Sequence, residues 1–177
     1  MKIASILIFF VVALIPLKVL QATPIIIDGD QARQEFASST AASITPPTLD
    51  IPIIPETESD VAEFAKFLTI ADTEIVSISL DSTLQLTHRE VAKLFGLFII
   101  PYTLTLSTSQ PDLQLQLKTP WWLWLSTNST SSIRTSSQQA LDKVRSSMSS
   151  STTEREALLQ RQKVLLALLM PWKAQFK

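Results

Sequence analysis

Residues 93–125, KLFGLFIIPYTLTLSTSQPDLQLQLKTPWWLWL, decide the fold, because apolar periodicity, turn chemistry and aromatic clustering coincide only there in the 177-residue chain. Ile100, Tyr102, Leu104 and Leu106 alternate with Thr103, Thr105 and Ser107, the period of a half-buried strand. Ser109-Gln110-Pro111-Asp112 supplies a turn. Leu113, Leu115 and Leu117 then alternate with Gln114, Gln116 and Lys118. Two antiparallel strands sharing one apolar face follow from that parity.

Upstream, Val76, Ile78 and Leu80 alternate with Ser77, Ser79 and Asp81, which predicts another half-buried strand. Residues 84–98 read as a further long strand whose pattern changes midway. Leu84 and Leu86 continue the even-numbered apolar face, but His88 and Glu90 then fall on it, while Val91 and Phe95 lie opposite. A bulge near His88 to Glu90 is expected to re-aim these side chains. The apolar face of such a meander needs a cover. Two helices can supply it, one at about 137–148 and one at about 153–170, where Thr153 and Glu156 form a capping box and Pro171 ends the run. Leu158, Leu165, Leu166 and Leu169 share a face of the second. Ahead of the sheet, Val61, Phe64, Ala65 and Leu68 predict a short helix, with Asp60 as its N-cap.

The first 22 residues carry Lys2, an apolar run of about 15 residues and a small residue at Ala22, the pattern of a secretory signal peptide that is cleaved or, as the alternative, retained as an anchor, which puts the domain outside the cell, in the periplasm or on the outer face of the cytoplasmic membrane. Residues 23–59 hold Pro46, Pro47, Pro52 and Pro55 and many Ser, Thr and Ala, and read as a flexible tether, with Ile51, Ile53 and Ile54 available to dock on the domain. Asp28 and Asp30 fit a polar turn better than a calcium loop, since the other ligand positions and the closing Glu are missing. The expected organisation is therefore a signal peptide (1–22), a tether (23–59) and one α+β domain (60–177). In that domain an antiparallel β-meander of about four strands, at about 74–125, is covered by C-terminal helices.

Composition narrows the chemistry. Cysteine is absent and histidine occurs once, which removes disulfides, thiolate zinc sites, thiol nucleophiles and multi-histidine metal sites. Two glycines exclude a Gly-rich phosphate loop. Charge is uneven: residues 23–87 hold eleven acidic and two basic residues, residues 88–177 five acidic and eleven basic. The two halves can attract each other, and the distribution reads as an acidic tether and a mildly basic solvated surface, with a basic face for anionic lipid or polymer as the alternative. An enzyme built on His88 is disfavoured because no nucleophile-elbow pattern accompanies it, and His88-Arg89-Glu90 reads as a charged interruption that discourages edge-to-edge pairing. Asn128-Ser129-Thr130 matches a glycosylation acceptor, a pattern of consequence only in a eukaryotic secretory route.

Trp121, Trp122 and Trp124 carry the main open question. They either plug the end of the sheet against the C-terminal helix or stay exposed, as a platform for sugar rings or as an interfacial anchor with Trp172, Lys173, Phe176 and Lys177. Residues 164–170, apolar all round, are either deeply buried or partly in lipid or a partner.

Lys93-Leu94-Phe95-Gly96, Ile100-Pro101, the leucine strand ending at Lys118 and Pro120-Trp121-Trp122-Leu123 together make the chain resemble small exported proteins of unknown function from Patescibacteria-type (candidate phyla) bacteria. The resemblance covers about a third of the chain. It implies an exported bacterial β-domain in which LFG crosses into a second strand and PWW closes the segment, and it implies no activity. The sequence thus predicts an exported, non-enzymatic structural or interaction module at the cell envelope, with no cofactor and no nucleic-acid partner. The alternative is membrane-surface or glycan binding through Trp121, Trp122, Trp124 and the tail from Trp172 and Lys173. The partner is left open among an envelope protein, a membrane surface and a glycan.

Overall fold

A computed structural model describes residues 24–39, 54–109, 112–148 and 153–172. The fold is α+β. Strand β1 (Ile25–Asp28) runs into helix α1 (Gly29–Ser39). Helix α2 (Glu58–Ala71) precedes β2 (Ile75–Leu80), β3 (Thr83–Leu94), β4 (Phe98–Ser109) and β5 (Gln114–Lys118). A 3-10 turn (Trp121–Leu125), the short β6 (Ser126–Thr127) and helices α3 (Thr130–Ser146) and α4 (Glu154–Leu169) complete it. The signal-peptide reading falls on residues outside those described.

The sheet is antiparallel, in the order β1-β2-β3-β4-β5, with β6 paired to β3. Its inner face buries Ile75, Ile78 and Leu80 from β2, Leu84, Leu86, His88 and Ala92 from β3, and Tyr102, Leu104 and Leu106 from β4. Helix α2 covers the β1 and β2 side and α3 the β5 side, while α4 lies between them and reaches β3. Val164, Leu165, Ala167, Leu168 and Leu169 of α4 are buried, which places the apolar run of residues 164–170 in the core, with Met170 alone exposed. Thr153 and Glu156 form the capping box that starts α4. Arg161 reaches Glu58 at 3.1 Å, an attraction between the basic and acidic halves of the chain.

β3 and β4 pair along their whole length, from Thr83 with Ser109 to Leu94 with Phe98. β2 accompanies β3 only as far as His88, and β5 accompanies β4 only from Thr105. The remainder projects as a two-stranded ribbon of six residues on the β3 side, roughly 20 Å long at the usual strand rise. β6 takes up the free edge of that ribbon at Lys93 and Leu94.

Several local expectations change. Residues 84–98 are not one strand: Phe95, Gly96 and Leu97 form a three-residue hairpin loop, with left-handed backbone at Phe95 (φ 51) and Gly96 (φ 73). The isolated Gly96 was the signal for it, since glycine adopts that conformation without a Cβ penalty. β3 carries no bulge at His88 to Glu90. Its register with β4 is continuous, and the irregularity lies opposite, between Ile75 and Ser77 of β2. That shift turns Ile75 inward and leaves Val76 half-buried. Helix α2 starts earlier than expected, because Thr57 is its N-cap and Asp60, the third residue of the helix, closes the capping box. Helix α3 likewise starts at Thr130, where Asn128 Oδ1 accepts from the Thr130 amide at 3.0 Å, so the Ser/Thr-rich stretch before residue 137 is helical.

The tether reading of residues 23–59 is corrected at its start, where Ile25–Asp28 adds a fifth strand to the sheet and α1 packs on α2. Asp28 Oδ1 accepts from the amides of Asp30 and Gln31, capping α1, and Asp30 pairs with Arg33. Arg33 Nη1 donates to Thr69 O at 2.7 Å, placing a cation on the last turn of α2, where the helix dipole favours it. Ile54 is exposed, and Ile51 and Ile53 lie outside the described residues.

Gly29 tests this docking. A Cβ there would sit 2.3 Å from the Ile75 carbonyl oxygen. Gly29→Ala is therefore expected to destabilise the protein by about 1–3 kcal/mol, as overpacking does. Denaturant unfolding measures it, and an unchanged midpoint would mean that β1 and α1 do not pack on β2.

Candidate functional site

Two features stand out, one buried at the root of the ribbon and one exposed at its tip. At the root, His88 is 2% exposed on the inner face of β3. Its Nε2 lies 3.2 Å from Asp72 Oδ2, and its Nδ1 lies 3.1 Å from Glu90 Oε1. The Nδ1 contact is a close ion pair whose angle does not make a well-aligned hydrogen bond. Trp172, just beyond α4, stacks on the imidazole with ring centroids 4.1 Å apart and planes inclined by 19°, and its indole N–H donates to Glu90 Oε1.

The local chain explains this convergence. Residues two apart share a face of a strand, so His88 and Glu90 point the same way. Asp72 is the C-cap residue of α2, and its Oδ1 accepts from the Glu74 amide at 3.0 Å, which leaves Oδ2 aimed at the histidine. Burial pulls the His88 pKa down, but the Asp72 hydrogen bond, the close Glu90 contact and the charges of both carboxylates override it and hold it at about 9, against an ordinary 6.5. Burial pushes Glu90 up, and the His88 and Trp172 contacts outweigh it, so its pKa falls below the ordinary 4.5. At neutral pH the ring is an imidazolium held by carboxylates on both nitrogens. It has no lone pair with which to accept a proton, and the two carboxylates face different ring nitrogens rather than one shared point. Among the described residues no group of three or more His, Cys, Asp or Glu could hold a metal ion.

At the tip, the 3-10 turn sets the tryptophans. Residues three apart eclipse in a 3-10 helix, so Trp121 and Trp124 project from one side. They are 79% and 76% exposed. Leu123 points inward and is buried, and Trp122 is half-buried with its ring edge-on to Tyr102 at 6.0 Å. The turn is held against the hairpin loop by the Phe95 amide, which donates to Leu125 O at 3.2 Å, and by the β3–β6 pairs. Phe95, Leu97, Phe98 and Ile99 of the loop and first β4 residues are all exposed as well.

The expected surface of Trp121, Trp122, Trp124, Trp172 and Lys173 is thus divided. Trp121 and Trp124 stand out in solvent rather than plugging the sheet. Trp122 is partly covered, and Trp172 is 2% exposed and belongs to the His88 cluster. Lys173, Phe176 and Lys177 lie outside the described residues. Phe95, Leu97 and Phe98 escape a sequence reading that places them inside a strand over residues 84–98, and Ile99 escapes it at the start of the next strand. No helix among the described residues is long and apolar enough to cross a membrane. Compared with family models, curated proteins and solved structures, the chain gives no significant match to any of them.

The cluster makes stability depend on pH with a definite sign. A folded pKa above the unfolded 6.5 contributes stability that is complete below about pH 6.5 and is lost as pH rises through about 9. At 1.36 kcal/mol per pKa unit, the contribution is roughly 3 kcal/mol. Unfolding free energy is expected to fall by about that amount between pH 6.5 and 9.5. His88→Asn should remove the slope, and a slope retained in that variant would assign it to other groups.

Proposed function

We propose that the protein is an exported, non-enzymatic interaction module of the cell envelope that engages its partner through the apolar end of the β3–β4 ribbon. The observation that carries this reading is that Trp121 and Trp124, on a turn bonded to the hairpin loop, and Phe95, Leu97, Phe98 and Ile99 put six large apolar side chains in water at one end of the sheet. Single exposed hydrophobics are ordinary on a protein surface, whereas a grouped set marks an interaction site. The buried His88 ring, flanked by Asp72 and Glu90 and covered by Trp172, supports a scaffolding role for the single histidine. Export rests on the charged start, apolar run and Ala22 of the first 22 residues.

Phe95 adds a further argument. Left-handed backbone at a non-glycine residue costs roughly 1–2 kcal/mol, and here the strain presents an exposed aromatic ring. Phe95→Asn is expected to stabilise the fold by about 1 kcal/mol while weakening partner binding. Chemical unfolding of that variant checks the first half.

For the surface as a whole, a photoreactive amino acid at position 124 is compared with one at Gln85, which is exposed near the opposite end of β3. In envelope fractions of the native host, adducts should form at position 124 and not at 85. The double variant Trp121→Ser, Trp124→Ser should lose partner binding yet unfold within about 1 kcal/mol of the parent, as exposed positions do. Equal labelling at both positions would remove the tip as the binding surface.

A further inference from the structure

We infer that the partner of this tip is an anionic lipid surface, into which the hairpin loop and the Trp121–Trp124 pair insert while cations on the outer face of the sheet meet the headgroups. This rests on the tip being the interaction surface proposed above, and it names what that surface meets.

The first support is shape. The apolar residues cap a projecting ribbon and a turn lying beside it, not the wall of a groove. A convex apolar tip has no complementary cavity to fill on a flat protein surface, but it needs none to enter a fluid interface. The residue types fit the same environment: indole rings partition to the headgroup level, and Phe and Leu to the acyl boundary beneath. No charged side chain occurs among Leu94 to Ile99 or among residues 119–129.

The second support is charge. β3, β4 and β5 share an outer face, fixed by register, that carries Arg89, Lys93 and Lys118. Arg89 pairs with Thr103, Lys93 with Ile99 and Lys118 with Thr105, and all three cations are exposed. The other outward positions of these strands are Thr, Gln, Ser, Val, Ile and Pro, with no Asp or Glu among them. The acidic residue of β3, Glu90, faces inward and is held by His88 and Trp172. Asp112 lies in the β4–β5 turn at the opposite end of the sheet. Outward positions of β3 to β5 free of acids, with Lys93 next to the apolar tip, Arg89 four residues behind it beside exposed Glu74, and Lys118 farther back on β5, leave a net positive face complementary to a negatively charged leaflet, where each cation near the surface strengthens binding roughly fivefold.

The test reads the tip directly, so that the apolar N-terminal segment of the chain does not decide it. The full chain is mixed with vesicles of phosphatidylcholine and phosphatidylglycerol carrying brominated acyl chains. Trp121 and Trp124 are the two exposed indoles among the four, so insertion should shift tryptophan emission to the blue and quench it. Phe95→Asp with Leu97→Asp should abolish the quenching, and Arg89→Gln with Lys93→Gln should weaken it on the order of 20-fold and flatten its salt dependence. Both pairs are exposed, and a thermal midpoint no lower than the parent's verifies that the variants are folded. Absence of quenching in the parent, or equal quenching in the Phe95→Asp, Leu97→Asp variant, overturns the lipid assignment. If quenching is absent but position 124 cross-links specifically to a protein, the lipid partner falls and the interaction module stands. If position 124 labels no more than position 85, both fall.

Discussion

A positive charge buried in the middle of a strand is the constraint around which the rest of this structure is arranged. An isolated imidazolium inside a protein is strongly disfavoured, and it persists here only because Asp72 and Glu90 face its two nitrogens and Trp172 covers its ring. Those partners come from three places in the chain: the end of α2, the same strand two residues on, and the end of α4. Satisfying one ring therefore fixes where α2 must stop, which face of β3 is inward and how far α4 must extend. Remove the histidine and two carboxylates are left facing each other without a counter-charge, which is more damaging than never having buried the group.

The same cluster explains the irregularity in β2. His88 pairs with Ile75, the next pair is Thr87 with Ser77, and the Arg89 amide donates to Glu74 O at 2.7 Å. The extra residue in β2 lets the chain leave α2 with Asp72 aimed at the histidine and still bring Ile75 and Ile78 into the core. The close approach of Gly29 to the Ile75 carbonyl occurs at this same point. β1, α1, α2 and β2 thus meet around one irregular pair, and one of the two glycines is spent there.

Much of the fold was legible because burial and strand period agree over most of the sheet. Leu84, Leu86, Leu104 and Leu106 are buried and Ser107 and Gln85 are not, as alternation requires. Legibility failed where a polar residue occupied an inward position. His88 and Glu90 looked like a break in the apolar face and suggested a bulge, because the residues that neutralise them, Asp72 and Trp172, lie 16 and 84 positions away from His88. The N-terminal segment hides its strand for a related reason. Ile25–Asp28 is too short to show a period, and its partners are supplied by β2. At the candidate site, the tryptophans were visible as a group, but not which of them face water. That depends on the threefold period of a 3-10 turn, and on a hairpin loop hidden within an apolar run.

Root and tip are mechanically related. His88 is the last β3 residue paired to β2, and Glu90 is already on the projecting ribbon, so the Trp172 contact clamps the ribbon where it leaves the sheet. Ala92, Tyr102 and Leu123 remain buried beyond that point, so the ribbon is supported along its inner side almost to the loop. A two-stranded ribbon is at best marginally stable by itself. Anchored in this way it can hold Phe95 in a strained conformation and keep Trp121 and Trp124 exposed, features that a freely moving hairpin would relax by folding back on its own apolar face. The buried charge is therefore the condition for the exposed aromatics: stability concentrated at the root is what allows the tip to remain uncovered.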